Sequence, residues 1–274
     1  MQETQKQWEE LTVRDNYLFQ LVMRNKRICK HLIERILHIH IKDIQYPQFE
    51  KHIAVDLSSK SIRMDVYVED DTGKIYDIEM QCINPGTDEI SLRAAYYQNL
   101  LTLEMLEKGA AYTEINPSYV IFICTFDPYG EGLPQYTMKR CCLEKYSVQS
   151  KDRQLQIFLN STQADKAKDP DVAAFLRYVD GKAAEGAFAC QVDQEVRNIK
   201  TQEKWRWEYM KWAMELKVAK IHASAEGRAE GRAEGRAEEK QESAYRLLKL
   251  GVDPQIVAEG TGLSLEEVQE MAKK

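Results

Sequence analysis

Apolar residues recur at intervals of three and four from Asn16 to about Ile41, at Leu18, Leu21, Val22, Ile28, Leu32, Ile33, Ile36 and Leu37. This period predicts an amphipathic helix, broken near Asn25. Between Phe49 and Gln81 the period shortens to two around the turn residues Asp71, Thr72 and Gly73, which predicts antiparallel strands. Helical spacing returns from Ser91 to about Lys108 and is closed by Gly109. The run from Tyr119 to Phe126 is short, apolar and rich in β-branched and aromatic residues, as a buried strand requires. Further strands are expected at Thr137 to Leu143 and Leu155 to Leu159, then a helix over Val172 to Tyr178 opened by Asp169 and Pro170.

The last third changes character. Val192 to about Ala223 predicts a long helix with Trp205, Tyr209, Trp212 and Leu216 on one side, a stripe that serves either as a packing face or as a platform for stacked bases. Glu-Gly-Arg-Ala then repeats three times from Glu226 to Ala237. The four-residue period aligns Glu226, Glu230 and Glu234 in one column and Arg228, Arg232 and Arg236 in another, so neighbours carry like charge. Each glycine costs about 1 kcal/mol in a helix. The repeat therefore reads as a linker or as a helix that needs a partner. Beyond it come Ser243 to Leu250 stopped by Gly251, a short helix from Asp253-Pro254 to Glu259, and a last helix capped by Ser264 with Glu267. Five acids face two lysines from Asp253 to Lys274. That balance suits contact with protein better than the groove-reading helix-turn-helix that the spacing also resembles. The expected organisation is a core over residues 1–185, a long amphipathic helix over 186–225, a repeat linker over 226–241 and a small helical module over 242–274.

Of 274 residues 43% are apolar, enough for a packed core. No run of eighteen apolar residues occurs, and Met1 to Glu10 carries neither the basic start nor the apolar stretch of a secretory signal. A cytoplasmic protein with no membrane partner is expected. Six cysteines are scattered without a Cys-x-x-Cys pair, and five histidines fall at no metal-binding spacing. Neither structural zinc nor a disulfide framework is indicated. The net charge of -6 excludes a protein that coats nucleic acid non-specifically, and leaves room for an enzyme with a local basic groove.

The stretch from Ser61 to Gln81 carries the candidate chemistry. If Asp71, Thr72 and Gly73 form a three-residue loop with Gly73 left-handed, Asp70 pairs with Lys74 and Asp65 with Glu79. Alternation then puts Ile62, Met64, Val66, Val68, Ile78 and Met80 on one face, and Arg63, Asp65, Tyr67, Asp77, Glu79 and Gln81 on the other. Opposed carboxylates about 5 Å apart repel unless a cation lies between them. Oxygen ligands from one or two carboxylates suit Mg²⁺ or Mn²⁺, an ion able to activate water against a phosphodiester. On pattern alone a solvated strand face compensated by Arg63 accounts for these residues equally well.

The order of helix, strand, Asp on a second strand, then Glu-x-Gln on a third strand followed by a helix resembles the PD-(D/E)XK nuclease superfamily. Arg63-Met-Asp65 with Ile78-Glu-Met-Gln81, Asp15-Asn-Tyr-Leu-Phe19 before a helix, Arg93 to Tyr97 after the motif, and the Glu-Gly-Arg-Ala tail are similar to its branch of recombination-promoting nucleases and transposases. The resemblance implies an α/β fold with a restriction-endonuclease-like core, a mixed sheet flanked by helices, here with a helical C-terminal extension. It implies a Mg²⁺- or Mn²⁺-dependent DNA endonuclease whose metal ligands are Asp65 and Glu79 and whose cut leaves a 5′-phosphate. Gln81 stands where the superfamily usually has Lys. It keeps hydrogen-bonding reach without charge, cannot act as a base, and is assigned to positioning the attacking water.

The superfamily often adds an acid on the first helix, and Glu34 is the candidate, against the alternative of a surface glutamate. Arg93 and Tyr97, one turn apart, either meet a phosphate or leave Arg93 to pair with Asp88 or Glu89 at the helix start. A nuclease-fold protein with weakened catalysis, acting as a DNA-binding or assembly module, is the competing reading. The three glycines suggest close approach of two helices, hence a homodimer through the tail.

Overall fold

The computed structural model describes residues 6–46, 52–53, 62–106 and 111–272. The first helical stretch is two helices, α1 (Asn16–Met23) and α2 (Lys26–Leu37). They divide where the Asn25 side chain accepts hydrogen bonds from the Arg27 and Ile28 N–H groups at 3.1 and 3.5 Å. An asparagine that offers its carbonyl to the following turn starts a new helix rather than continuing the old one.

Six strands form one mixed sheet in the order β1 (Ile44–Gln45), β4 (Val66–Asp70), β5 (Ile75–Gln81), β6 (Ser118–Cys124), β8 (Gln154–Asn160) and β7 (Gln135–Met138). A separate antiparallel pair joins β2 (His52–Ile53) to β3 (Ile62–Arg63). In the main sheet β4 and β5 are an antiparallel hairpin, β5, β6 and β8 run parallel, and β7 lies antiparallel on the edge. Parallel neighbours need a crossover, and α3 (Thr87–Met105) supplies it between β5 and β6. Ile90, Ala94 and Leu101 of α3 pack on Tyr67, Ile75, Val120, Phe122 and Phe158. The opposite face, with Val68, Ile78, Ile121, Ile157 and Leu159, is equally buried, so β5 is covered on both sides. Around the sheet, α1, α2, α4 (Pro170–Val179) and α5 (Ala187–Lys200) pack on one another. The result is the expected α/β core, a mixed sheet with flanking helices.

The hairpin takes the register that its loop predicts: Val66 faces Ile78 and Glu69 faces Ile75, with Gly73 at φ +78°. Gly73 N–H donates to the Asp70 carbonyl and Asp70 N–H to the Lys74 carbonyl, each at 2.9 Å. Asp70 also receives the Thr72 hydroxyl at 2.6 Å and the Tyr76 hydroxyl at 2.8 Å, which staples the turn. Strict alternation fails at Met64, which packs with Tyr67 and Tyr97 instead of with Val66, because regular strand begins only at Val66 and the chain bends at Asp65.

Helix α3 starts four residues before Ser91, since Gly86 at φ +94° turns the chain directly into it. Its expected end at Lys108 and Gly109 lies outside the described residues, as does most of Phe49 to Ser61. The long helix expected over Val192 to Ala223 is divided at Thr201 and Gln202 into α5 and α6 (Glu203–Lys249). The Glu-Gly-Arg-Ala repeat is part of α6. Ala, Glu and Arg are strong helix formers that offset the glycines, and a β-carbon at Gly231 or Gly235 would meet nothing within 4 Å.

The chain divides into two compact units, Met1–Tyr209 and Met210–Lys274. In the first, Tyr209 lies 5.7 Å from the Trp8 ring and 5.3 Å from the Tyr17 ring, and the Arg24 guanidinium lies over Trp205 at 5.0 Å. This part of the aromatic stripe is a packing face. In the second, the end of α6 packs with α7 (Pro254–Thr261) and α8 (Leu265–Ala272) around Ala244, Val257 and Val268. The Ser264–Glu267 capping box forms as expected. Among the described residues no helix is long and apolar enough to cross a membrane.

Gly73→Ala is expected to lower the stability of the chain by about 1–2 kcal/mol, the cost of a left-handed conformation for a residue with a β-carbon. The new carbon would also stand 2.8 Å from Asn116 Nδ2. Urea denaturation of the two proteins measures the difference.

Candidate active site

The β4–β5 hairpin brings Asp65 and Glu79 together without a ladder bond between them. The Asp65 N–H donates to Glu79 Oε1 at 2.8 Å, and the Met80 N–H donates to Asp65 Oδ2 at 3.2 Å. Each carboxylate is thus held by a backbone donor from the opposite strand segment. A third donor comes from α1: Gln20 Nε2 reaches Asp65 Oδ1 at 3.1 Å. Asp65 and Glu79 are only 7% and 4% exposed, so the solvated strand face that pattern alone allowed does not describe them.

Two residues before Glu79 on the same face, Asp77 is fully buried and neither of its carboxyl oxygens has a donor. Burial, then the charge of Asp65, pushes the Asp77 carboxyl well above the usual range. Burial followed by the charges of Asp65 and Asp77 does the same to Glu79, against the opposing pull of the Asp65 N–H and of Arg93.

Helix α3 supplies the cation. Arg93 Nη1 donates to Gln81 Oε1 at 2.9 Å, Arg93 Nη2 to the Tyr97 hydroxyl at 3.2 Å, and Nη2 lies 3.9 Å from Glu79 Oε2. Its guanidinium is 5.5 Å from the Tyr97 and Phe122 ring centroids. Burial works against the Arg93 charge, but Tyr97, Glu79 and Asp65 outweigh it and hold the group charged. Burial and Glu79 push the Tyr97 hydroxyl up to about 12. Arg93 therefore faces the site and not Asp88 or Glu89. Gln81 is held at both ends, since its Nε2 donates to the Ile83 carbonyl at 2.6 Å.

Glu34 is placed elsewhere. Its carboxylate accepts the Ile41 N–H at 2.8 Å and pairs with His40 and Lys30 at 3.1 and 3.6 Å, bracing the chain as it leaves α2. What α1 brings to Asp65 is the neutral amide of Gln20. Sequence reasoning passed over Gln20, although a glutamine within Leu18-Phe19-Gln20-Leu21-Val22 interrupts an apolar run and calls for a buried partner.

The residues fit a hard divalent ion. Asp65 and Glu79 offer oxygen ligands, and beside them the orphaned carboxyl oxygens of Asp77 call for a proton or a nearby cation. Among the described residues no three His, Cys, Asp or Glu side chains converge as a ready cage. Asp65 and Glu79 would hold the ion, with water and phosphate completing its shell, as Mg²⁺ accepts.

A family model described as PD-(D/E)XK nuclease family transposase matches residues 15–173, more than half of the chain. No curated protein and no solved structure matches.

A carboxyl whose folded pKa is raised binds its proton more tightly in the folded than in the unfolded chain. Metal-free stability is therefore expected to fall as pH rises from the ordinary carboxylate range near 4 toward the folded values of Asp77 and Glu79. Asp77→Asn should flatten that fall. Thermal melting in EDTA across pH, as wild type minus variant, isolates the contribution.

Proposed function

The chain belongs to the PD-(D/E)XK nuclease family transposases, and on that premise we propose that it is a divalent-metal-dependent DNA endonuclease, serving recombination or a mobile element. The observation that carries this reading is the buried Asp65–Glu79 pair, each member held by a backbone N–H, beside the orphaned oxygens of Asp77. Nucleases of this family generally use divalent metal ions, and Mg²⁺ or Mn²⁺ suits carboxylate oxygens. When bound, the ion polarises a phosphoryl oxygen and makes an adjacent water more acidic.

The chain's own residues divide the remaining work. Asp65 and Glu79 present oxygens to the ion. Gln81, fixed by Arg93 and Ile83, keeps one N–H and one lone pair with which to orient the attacking water. It cannot take that water's proton. Arg93, stacked against Tyr97 and Phe122, supplies the positive charge that a lysine at position 81 would otherwise bring, and its fork suits a phosphate. Tyr97 steers the guanidinium through its hydroxyl. The tail from Glu226 onward lies outside the matched residues and is assigned to assembly, including homodimerisation through the helical tail, rather than to chemistry.

The test is nicking of supercoiled plasmid against Mg²⁺ or Mn²⁺ concentration. Asp65→Asn and Glu79→Gln are each expected to lose roughly 100-fold or more, the scale for removing one charge-stabilising group from an active site. Arg93→Gln should lose activity as well. The double variant Gln81→Lys/Arg93→Gln should recover part of it, because the lysine restores a cation beside Glu79. Wild-type nicking by Asp65→Asn would overturn the assignment, and no recovery in the double variant would remove the role given to Arg93.

A further inference from the structure

Asp65 sits in a bend ahead of β4, where no ladder fixes its side chain. A carboxylate in such a position samples several rotamers unless donors select one. The Met80 N–H anchors Oδ2, and a donor on Oδ1 comes from outside the hairpin, from Gln20. Gln20 is 7% exposed on a helix whose neighbouring Leu18, Phe19, Leu21 and Val22 are all buried, so its backbone is rigidly seated. The same Nε2 stands 3.4 Å from Asn16 Oδ1, which turns the amide nitrogen toward Asp65. We propose that Gln20 is a positioning residue that sets the Asp65 carboxylate in the orientation needed to take a divalent ion. The inference rests on Asp65 and Glu79 being the metal ligands.

The amide is suited to this task by what it lacks. A lysine at position 20 would hold Asp65 as firmly but would set a cation against the incoming ion. A glutamate would add a further acid to a cluster already crowded by Asp65, Asp77 and Glu79. Glutamine donates a hydrogen bond and adds no charge. Donors to metal ligands act in this way, and their loss weakens metal binding without deleting a ligand.

The experiment titrates Mn²⁺ by calorimetry into the chelator-treated full chain, with no DNA present. The proteins are wild type, Gln20→Met, Gln20→Asn and Asp65→Asn. Gln20→Met keeps the length and helical preference of the side chain and removes its donor. It is expected to bind Mn²⁺ about 10-fold more weakly or worse, with its metal-free melting temperature within about 4 °C of wild type. Gln20→Asn, whose amide is one methylene short, should fall between the two. Wild-type affinity in a folded Gln20→Met protein overturns the inference while the metal site stands, as Asp65→Asn then confirms by failing to bind. If Gln20→Met does not fold, Gln20→Asn decides, and wild-type affinity in that variant overturns the proposal. Absence of Mn²⁺ binding by the wild type overturns the metal site and this inference with it.

Discussion

The site depends on a reciprocal arrangement at the root of one hairpin, where Asp65 gives its backbone N–H to the Glu79 carboxylate and receives the Met80 N–H on its own. Two acids that repel each other are thereby held side by side by groups that cannot move away. Regular pairing of β4 with β5 stops at Val66, so the N–H groups that a ladder would have consumed are free for the side chains. Everything else supports that corner. The Gly73 turn fixes the register, α1 brings Gln20, and α3 brings Arg93.

The arrangement is costly without a partner. Asp65, Asp77 and Glu79 are all buried at one end of the hairpin, Asp77 with both oxygens orphaned, and the Arg93 guanidinium lies 3.9 Å from Glu79. Burial of an unpaired charge is costly, and the empty site answers it by holding protons, as the raised pKa values of Asp77 and Glu79 reflect. If Asp65 and Glu79 hold a divalent ion as proposed, that ion would relieve the same repulsion that weakens the metal-free protein. Gln81 fits this balance. With Arg93 bonded to it, the site carries a positive charge on a rigid helix rather than on a flexible lysine at the strand end.

Much of the hairpin was legible because local chemistry dictates it: period-two alternation and a left-handed glycine determine register without help from the rest of the fold. The Asn25 break and the Ser264–Glu267 cap were readable for the same reason. What escaped depended on contacts far apart in sequence. Gln20 and Asp65 are separated by 45 residues, and no periodicity announces that a side chain of α1 will reach the bend ahead of β4. Glu34 looked equivalent on a helix, but the turn after α2 claims it through the Ile41 N–H. Alternation put Asp77 on the face of Asp65 and Glu79, but it cannot tell a solvated face from one covered by α3, so the burial of Asp77 was not legible. Met64 broke the alternation where the bend at Asp65 begins.

The central claim is that Asp65 and Glu79 jointly bind a divalent ion. Crystals soaked in Mn²⁺ and measured for anomalous scattering locate such an ion directly. The account predicts a peak about 2.1 Å from one oxygen each of Asp65 and Glu79, with water in the remaining positions. A peak absent from this pair in crystals that bind Mn²⁺ elsewhere, or a Mn²⁺ ion held without Glu79, would contradict it.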